Sequence, residues 1–123
     1  MKRRRVLIVD DSEINRRILY RILAEDYDLT EAENGVRALE AMQGAAEEIS
    51  AVLLDIVMPV MDGYEVLRAM RQDAALSQIP VIVTTGNTEE GAEVKALSLG
   101  ANDFIVKPYN PAVIKHRLGN TIN

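Results

Sequence analysis

Five side chains are placed where they could act together. Asp10 and Asp11 close the apolar run Val6–Val9, and Asp55 directly follows Ala51–Leu54. Thr85 ends the run Val81–Thr85, and Lys107 follows Phe104–Val106. Adjacent carboxylates repel, and a third one brought into the same crevice makes matters worse. At ~4 Å and an effective dielectric of ~20, each like-charge pair costs about 4 kcal/mol. That is a large part of a domain's net stability of ~5–15 kcal/mol, so a bound cation is the expected compensation. The donors are all oxygen. The chain has no Cys, and its single His, His116, has no candidate partner, which disfavours zinc and copper. There is no twelve-residue calcium loop, and the protein ligands are too few for a Ca²⁺ cage. Mg²⁺ fits better, because it keeps waters and takes a few carboxylates plus a phosphate oxygen. Thr85 and Lys107 add a hydroxyl and an ammonium, donors suited to phosphoryl oxygens. Taken singly, Asp11 reads as a helix cap, Thr85 as a strand residue and Lys107 as a solvated cation. Asp55, at the end of an apolar run, is the hardest to dismiss. Together, at one shared edge, the five make a site.

That edge follows from the pattern of elements. Short apolar runs alternate with helical stripes about every 25 residues, five times. After Val6–Val9, residues Ile14, Ile18, Leu19, Ile22 and Leu23 share a helix face, with Ser12 or Asp11 as cap. A weak strand near Asp28–Ala32 precedes Asn34-Gly35 and a helix expected to turn Val36, Leu39 and Met42 inward. Ala51–Leu54 is the third strand. Met58-Pro59 breaks it before a helix with Tyr64, Leu67 and Met70 inward. Pro80 opens the strand Val81–Thr85, and a helix from about Glu89 to Leu99 carries Val94 and Leu97 on one face. Gly100 suits its C-terminal cap. Phe104–Val106 is the last strand. Asn110-Pro111 then starts a closing helix expected to bury Val113, Ile114 and Leu118. Continuously apolar strands joined through helices imply a parallel sheet covered on both faces. The fold class is one α/β domain, residues 1–123, with a five-stranded parallel sheet. Its strands direct their carboxyl ends to a single crevice, provided the first and third strands are neighbours.

Composition narrows the functions. The 123 residues make one ordinary domain that needs no disulfide staples, and the absence of Cys suits a reducing, cytoplasmic setting. The basic start Lys2-Arg3-Arg4-Arg5 precedes only four apolar residues, too few for an export signal of ~7–15. No stretch approaches the ~20 apolar residues of a membrane span. A net charge of −5 disfavours direct nucleic-acid binding.

The stretches "VDDSE", "LLDIVMPVMDG", "VIVTTGN" and "VKPY" resemble, in order and spacing, the four blocks of response-regulator receiver domains. The resemblance covers essentially the whole chain and implies the doubly wound (βα)5, flavodoxin-like strand order 2-1-3-4-5. It implies Asp55 as phosphoacceptor and Mg²⁺ as cofactor. The metal would be held by Asp10, Asp11, Asp55 and the backbone carbonyl of Val57. Thr85, followed by small Gly86, matches the switch hydroxyl, a slot that Thr84 does not occupy. Lys107 matches the family's lysine, with a cis bond to Pro108, and Phe104 matches the aromatic switch residue, although a plain core aromatic would look the same. The implied partner is a sensor histidine kinase or phosphotransfer protein. The protein would be a signalling switch that catalyses its own phosphorylation and dephosphorylation, not an enzyme acting on other molecules.

Some positions stay open. Val57 and Asn87 match places that tune phosphoryl lifetime. Gly91 is expected inside the first turns of the fourth helix, which it would weaken. Lys115, His116 and Arg117 form a basic patch for an acidic partner or a second receiver, in a homodimer, or else a solvated helix end. The closing "KPYNPAVIKHRLGNTIN" is similar to receivers followed by cyclic-dinucleotide signalling domains, so a fused output domain and a stand-alone receiver are both open. A phosphatase of the haloacid-dehalogenase type would need D-x-D on its first strand, which "DDSEI" does not supply. A flavodoxin would not place two acids in its phosphate loop. The rival from a non-catalytic class is a degenerate receiver that binds partners without phosphorylation, and the filled site positions argue against it.

Overall fold

The computed structural model describes residues 3–86 and 91–122. Five parallel strands, β1 (Arg5–Val9), β2 (Asp28–Ala32), β3 (Ile49–Asp55), β4 (Val81–Thr85) and β5 (Asp103–Val106), form one sheet in the order 2-1-3-4-5. Helices α1 (Glu13–Leu23) and α5 (Pro111–Ile122) cover one face. Helices α2 (Gly35–Gln43), α3 (Gly63–Arg71) and α4 (Ala92–Ser98) cover the other. The fold is thus the doubly wound arrangement expected, with β1 beside β3.

Alternate residues of the buried strands feed two cores. Val6 and Ile8, Ala51 and Leu53, Ile82 and Ile105 pack under α1 and α5. Leu7 and Val9, Val52 and Leu54, Val81 and Val83 pack under α2, α3 and α4. Burial on both faces is what makes β1, β3 and β4 read as unbroken apolar runs.

Helix ends are set by local chemistry. Ser12 Oγ accepts from the Asn15 amide at 3.2 Å, so Ser12, and not Asp11, caps α1. Asn34 Oδ1 caps α2 by accepting from Arg37 N at 2.8 Å. Asn110 Oδ1 accepts from the amides of Ala112 and Val113, with Pro111 as first helical residue, as expected. At α3, Asp62 and Glu65 form a reciprocal capping box.

Several helix faces differ from expectation. On α1, Ile14 and Ile18 are exposed while Leu19 and Leu23 are buried. Val36 and Val113 are exposed, and α2 buries Ala38 in place of Val36, together with Met42 as expected. On α4 the buried residues are Ala92 and Ala96, and Val94 and Leu97 are exposed. The apolar stripe on each helix is wider than the arc that meets the sheet, and α4 meets its core through alanines, leaving its larger side chains outside. The fourth helix begins later than expected. Gly91 is its left-handed N-cap (φ 89°), not an interior residue, and the expected start at Glu89 lies outside the described residues, as does Asn87. Gly100, also left-handed (φ 108°), ends the helix as anticipated.

Candidate functional site

The register of the strands brings the acids together. Val9 pairs with Leu54, so the next residues, Asp10 and Asp55, emerge side by side at the C-terminal edge of the sheet. Both are almost fully buried, at 1% and 3% exposure, while Asp11 is exposed. Asp10, Asp11 and Asp55 each present a carboxylate oxygen, all within 4.8 Å of one another. Lys107 Nζ lies 3.2 Å from Asp10 Oδ2 and 3.3 Å from Asp55 Oδ1. β5 brings it there, with the Lys107 amide donating to the Thr85 carbonyl at 2.8 Å. The Lys107–Pro108 bond is cis, as expected.

One ammonium beside three carboxylates leaves the cluster negative. Burial, and after it the Asp10 carboxylate, pushes the Asp55 carboxyl up to about 6, with Lys107 pulling the other way and Asp11 adding a smaller push. Burial disfavours the Lys107 ammonium. Tyr109, once ionised, together with Asp55 and Asp10 outweighs that, and its pKa is raised. Three converging oxygens, two buried and one open to solvent, with a net negative charge and no soft donor, fit a hard divalent cation.

The rest of the site is held from four directions. Asp10 Oδ1 accepts from the Ser12 amide at 2.8 Å, and Asp10 N donates to Ala32 O at 3.2 Å. Ile56 N donates to Thr84 O at 3.1 Å, fixing the end of β3 against β4. Gly63 N donates to Ile56 O at 2.8 Å, closing the loop that follows Asp55. A Cβ on Gly63 would lie 2.5 Å from the Asp55 carbonyl oxygen, so only glycine lets α3 start this close. Within the loop, Val57 and Val60 are exposed. Val60 has a φ of 70°, and Met61 N donates to Pro59 O at 2.8 Å, a γ-turn of the strained kind.

Thr84 and Thr85 are both buried and part company. Thr85 has the parity of Val81 and Val83, and Val83 pairs with Phe104, so Thr85 and Phe104 share a face of the sheet. Phe104 is half-buried against the core on that side. Thr84 lies on the opposite face, where the Tyr109 hydroxyl is 3.4 Å from its Oγ1. Tyr109 is pushed up to about 12, chiefly by burial, and stays a neutral phenol. Sequence reasoning misses this contact. It also misses Arg16, whose Nη1 donates to the Asp10 carbonyl at 2.6 Å while Nε pairs with Glu31 at 3.0 Å. Spacing alone does not distinguish Arg16 from Arg17, which pairs with Glu13 on the exposed side. On α5, His116 Nε2 lies 3.2 Å from Asn120 Nδ2.

The chain that carries this arrangement, an acid pair, a third acid one strand over and a lysine between them, is similar to known proteins. The family model for the response regulator receiver domain matches residues 6–119. The chain belongs to the response-regulator receiver family. Among curated relatives of this receiver, the chemotaxis protein CheY1 of Helicobacter pylori is 36% identical over 116 residues, 93% of each chain. The response regulator PleD of Caulobacter vibrioides is also 36% identical, but the receiver spans only 25% of that longer protein. Among solved structures, a chain from the CheX-CheY-BeF3-Mg²⁺ complex of Borrelia burgdorferi superposes with a TM-score of 0.90 at 30% identity, covering 98% of this receiver and 90% of that chain. No described helix of the receiver is long and apolar enough to cross a membrane.

Proposed function

We propose that residues 1–123 are one phosphoacceptor receiver of a two-component system, with Asp55 as the acceptor. The observation that carries this reading is the meeting of Asp10, Asp11 and Asp55 around Lys107 at one sheet edge. An Asp55 oxygen attacks the phosphorus of a phosphohistidine on a sensor kinase or phosphotransfer protein. The P–N bond breaks, its electrons stay on the imidazole, and an aspartyl phosphate forms. At neutral pH Asp55, with a pKa of about 6 in the metal-free protein, is largely ionised and able to attack. Mg²⁺ held by Asp10, Asp11, Asp55 and the Val57 carbonyl would supply positive charge to the transferring group. Lys107, already within ion-pair distance of Asp55, exchanges a carboxylate oxygen for a phosphoryl oxygen.

The acyl phosphate hydrolyses in time, which makes the domain a resettable switch. Thr85 donates its hydroxyl to the new phosphoryl group, and Phe104, on the same sheet face, turns into the space Thr85 leaves. The surface of α4, β5 and α5 changes as a result, a population shift set by how differently the two states hold the phosphoryl group. The location is cytoplasmic, and the output lies in a partner or a fused domain. Intact mass after incubation with a small phosphodonor tests the reading. Wild type should gain one phosphoryl group only with Mg²⁺, and Asp55→Asn should gain none. A gain by Asp55→Asn, or one indifferent to Mg²⁺, sinks it.

A further inference from the structure

Of the three clustered carboxylates, two are held by their own contacts. Asp10 accepts from Ser12 N and from Lys107, and Asp55 pairs with Lys107. Asp11 is exposed, and its side chain has no hydrogen-bond or ion-pair partner among the described residues. The point from which its carboxylate reaches is therefore set by the backbone alone, and above all by the peptide group joining Asp10 to Asp11. The oxygen of that peptide is the Asp10 carbonyl, which accepts the 2.6 Å hydrogen bond from Arg16 Nη1.

Arg16 is built to hold that oxygen. It stands in the first turns of α1, its side chain only 15% exposed. Its Nε is fixed at 3.0 Å on Glu31, one residue before the end of β2 and paired in register with Ile8 of β1. The guanidinium thus spans the ends of two strands, and its two ends cannot shift independently. Glu31 has a second effect. An unpaired arginine this near would repel a divalent cation, and the Glu31 carboxylate offsets that charge. Arg17 and Arg37, also at this edge, pair with Glu13 and Glu40 of their own helices on exposed faces and touch no part of the acid cluster.

We infer that Arg16 is a positioning residue for the metal site: by clamping the Asp10–Asp11 peptide it aims the one carboxylate that has no other anchor. This rests on the reading of the acid cluster as a Mg²⁺ site. Groups that orient metal ligands without touching the metal typically change affinity ~10–100-fold. Charge and position act in opposite senses here. Removing a nearby cation by itself favours Mg²⁺, so a weakened affinity in a neutral variant reports position.

The test is Mg²⁺ titration by calorimetry on wild type, Arg16→Met and Arg16→Lys, with melting in EDTA to establish that each is folded. Arg16→Met should bind Mg²⁺ about 10-fold more weakly. Arg16→Lys, which keeps one donor for the carbonyl, should recover most of the affinity. Should Arg16→Met not fold, Arg16→Leu, neutral and likewise without a donor for the carbonyl, takes its place under the same criteria. Equal or tighter Mg²⁺ binding by the neutral variant, beside a wild type that binds, overturns the role of Arg16 alone. So does an Arg16→Lys protein as weak as the neutral one. A wild type that binds no Mg²⁺ overturns the metal site and this role with it.

Discussion

Asp55→Asn should make the metal-free protein more stable at neutral pH. The Asp55 carboxyl is held at about 6 in the folded chain against 3.8 for an unperturbed aspartate. Below pH 3.8 both states are protonated and ionisation costs nothing. As pH rises toward 6 the unfolded chain loses its proton first, so stability falls, and above 6 the loss levels off. The full difference of about two pKa units corresponds to about 3 kcal/mol. At pH 4.5 only about 1 kcal/mol of it is felt, by the same linkage. Asparagine fills the space without the charge, keeps an oxygen for Lys107 and removes the repulsion from Asp10. The variant should therefore exceed wild type by up to about 3 kcal/mol at pH 7.5 in EDTA, and by about 2 kcal/mol less at pH 4.5. For a chain of this length ~1 kcal/mol moves Tm by about 4 °C, so the upper limit is a gap of about 12 °C. Mg²⁺ should narrow it, because at ten times its Kd a ligand adds about 1.4 kcal/mol to the protein that binds it, and the variant has lost one ligand. Denaturant melts at the two pH values, with EDTA and with Mg²⁺, measure all of this. A variant less stable than wild type in EDTA at pH 7.5, or a gap that does not shrink on acidification, would refute the claim that burial and crowding strain this carboxylate.

Two other outcomes are expected. Val60 is β-branched, 92% exposed and at positive φ, so Val60→Gly loses little packing and relieves backbone strain. It should raise stability by about 1 kcal/mol, or Tm by about 4 °C, and an unchanged or lower Tm counts against strain there. Thr85→Ala should take up a phosphoryl group nearly as well as wild type but fail to pass the change to α4, β5 and α5. Hydrogen exchange across those segments, with and without phosphodonor, decides the matter, and an identical response in both proteins would sink the coupling through Thr85.

What can be read in the sequence follows from geometry that repeats. Parallel strands bury both faces, so β1, β3 and β4 show as apolar runs, and their shared direction is enough to place Asp10, Asp55, Thr85 and Lys107 at one edge. Caps are partly legible for the same reason. Asn110-Pro111 and Gly100 are local chemistry, and the Asp62–Glu65 box is there to be read at D-x-x-E spacing. Helix faces are less legible. Val36, Val94, Leu97 and Val113 are apolar enough for a core, but which arc of a helix meets the sheet depends on how closely it packs, and alanines decide that for α4. Least legible are long-range pairings. Nothing in the composition ties Tyr109 to Thr84 or Arg16 to Asp10 and Glu31, because those partners meet only once the sheet is assembled.

The single bond from Gly63 N to Ile56 O has an evolutionary reading. It ties off residues 57–62 as a closed loop standing on a fixed base, with β3 below it and the capped start of α3 beside it. Inside the loop Met58 is buried in the core and Met61 packs against that core, so only the outward-facing positions can change without disturbing the strand that carries Asp55, while the base itself admits no side chain. The loop is thus half anchor and half open rim on a fixed frame. Val57 and Val60, whose side chains face solvent, are the positions where a substitution disturbs that frame least.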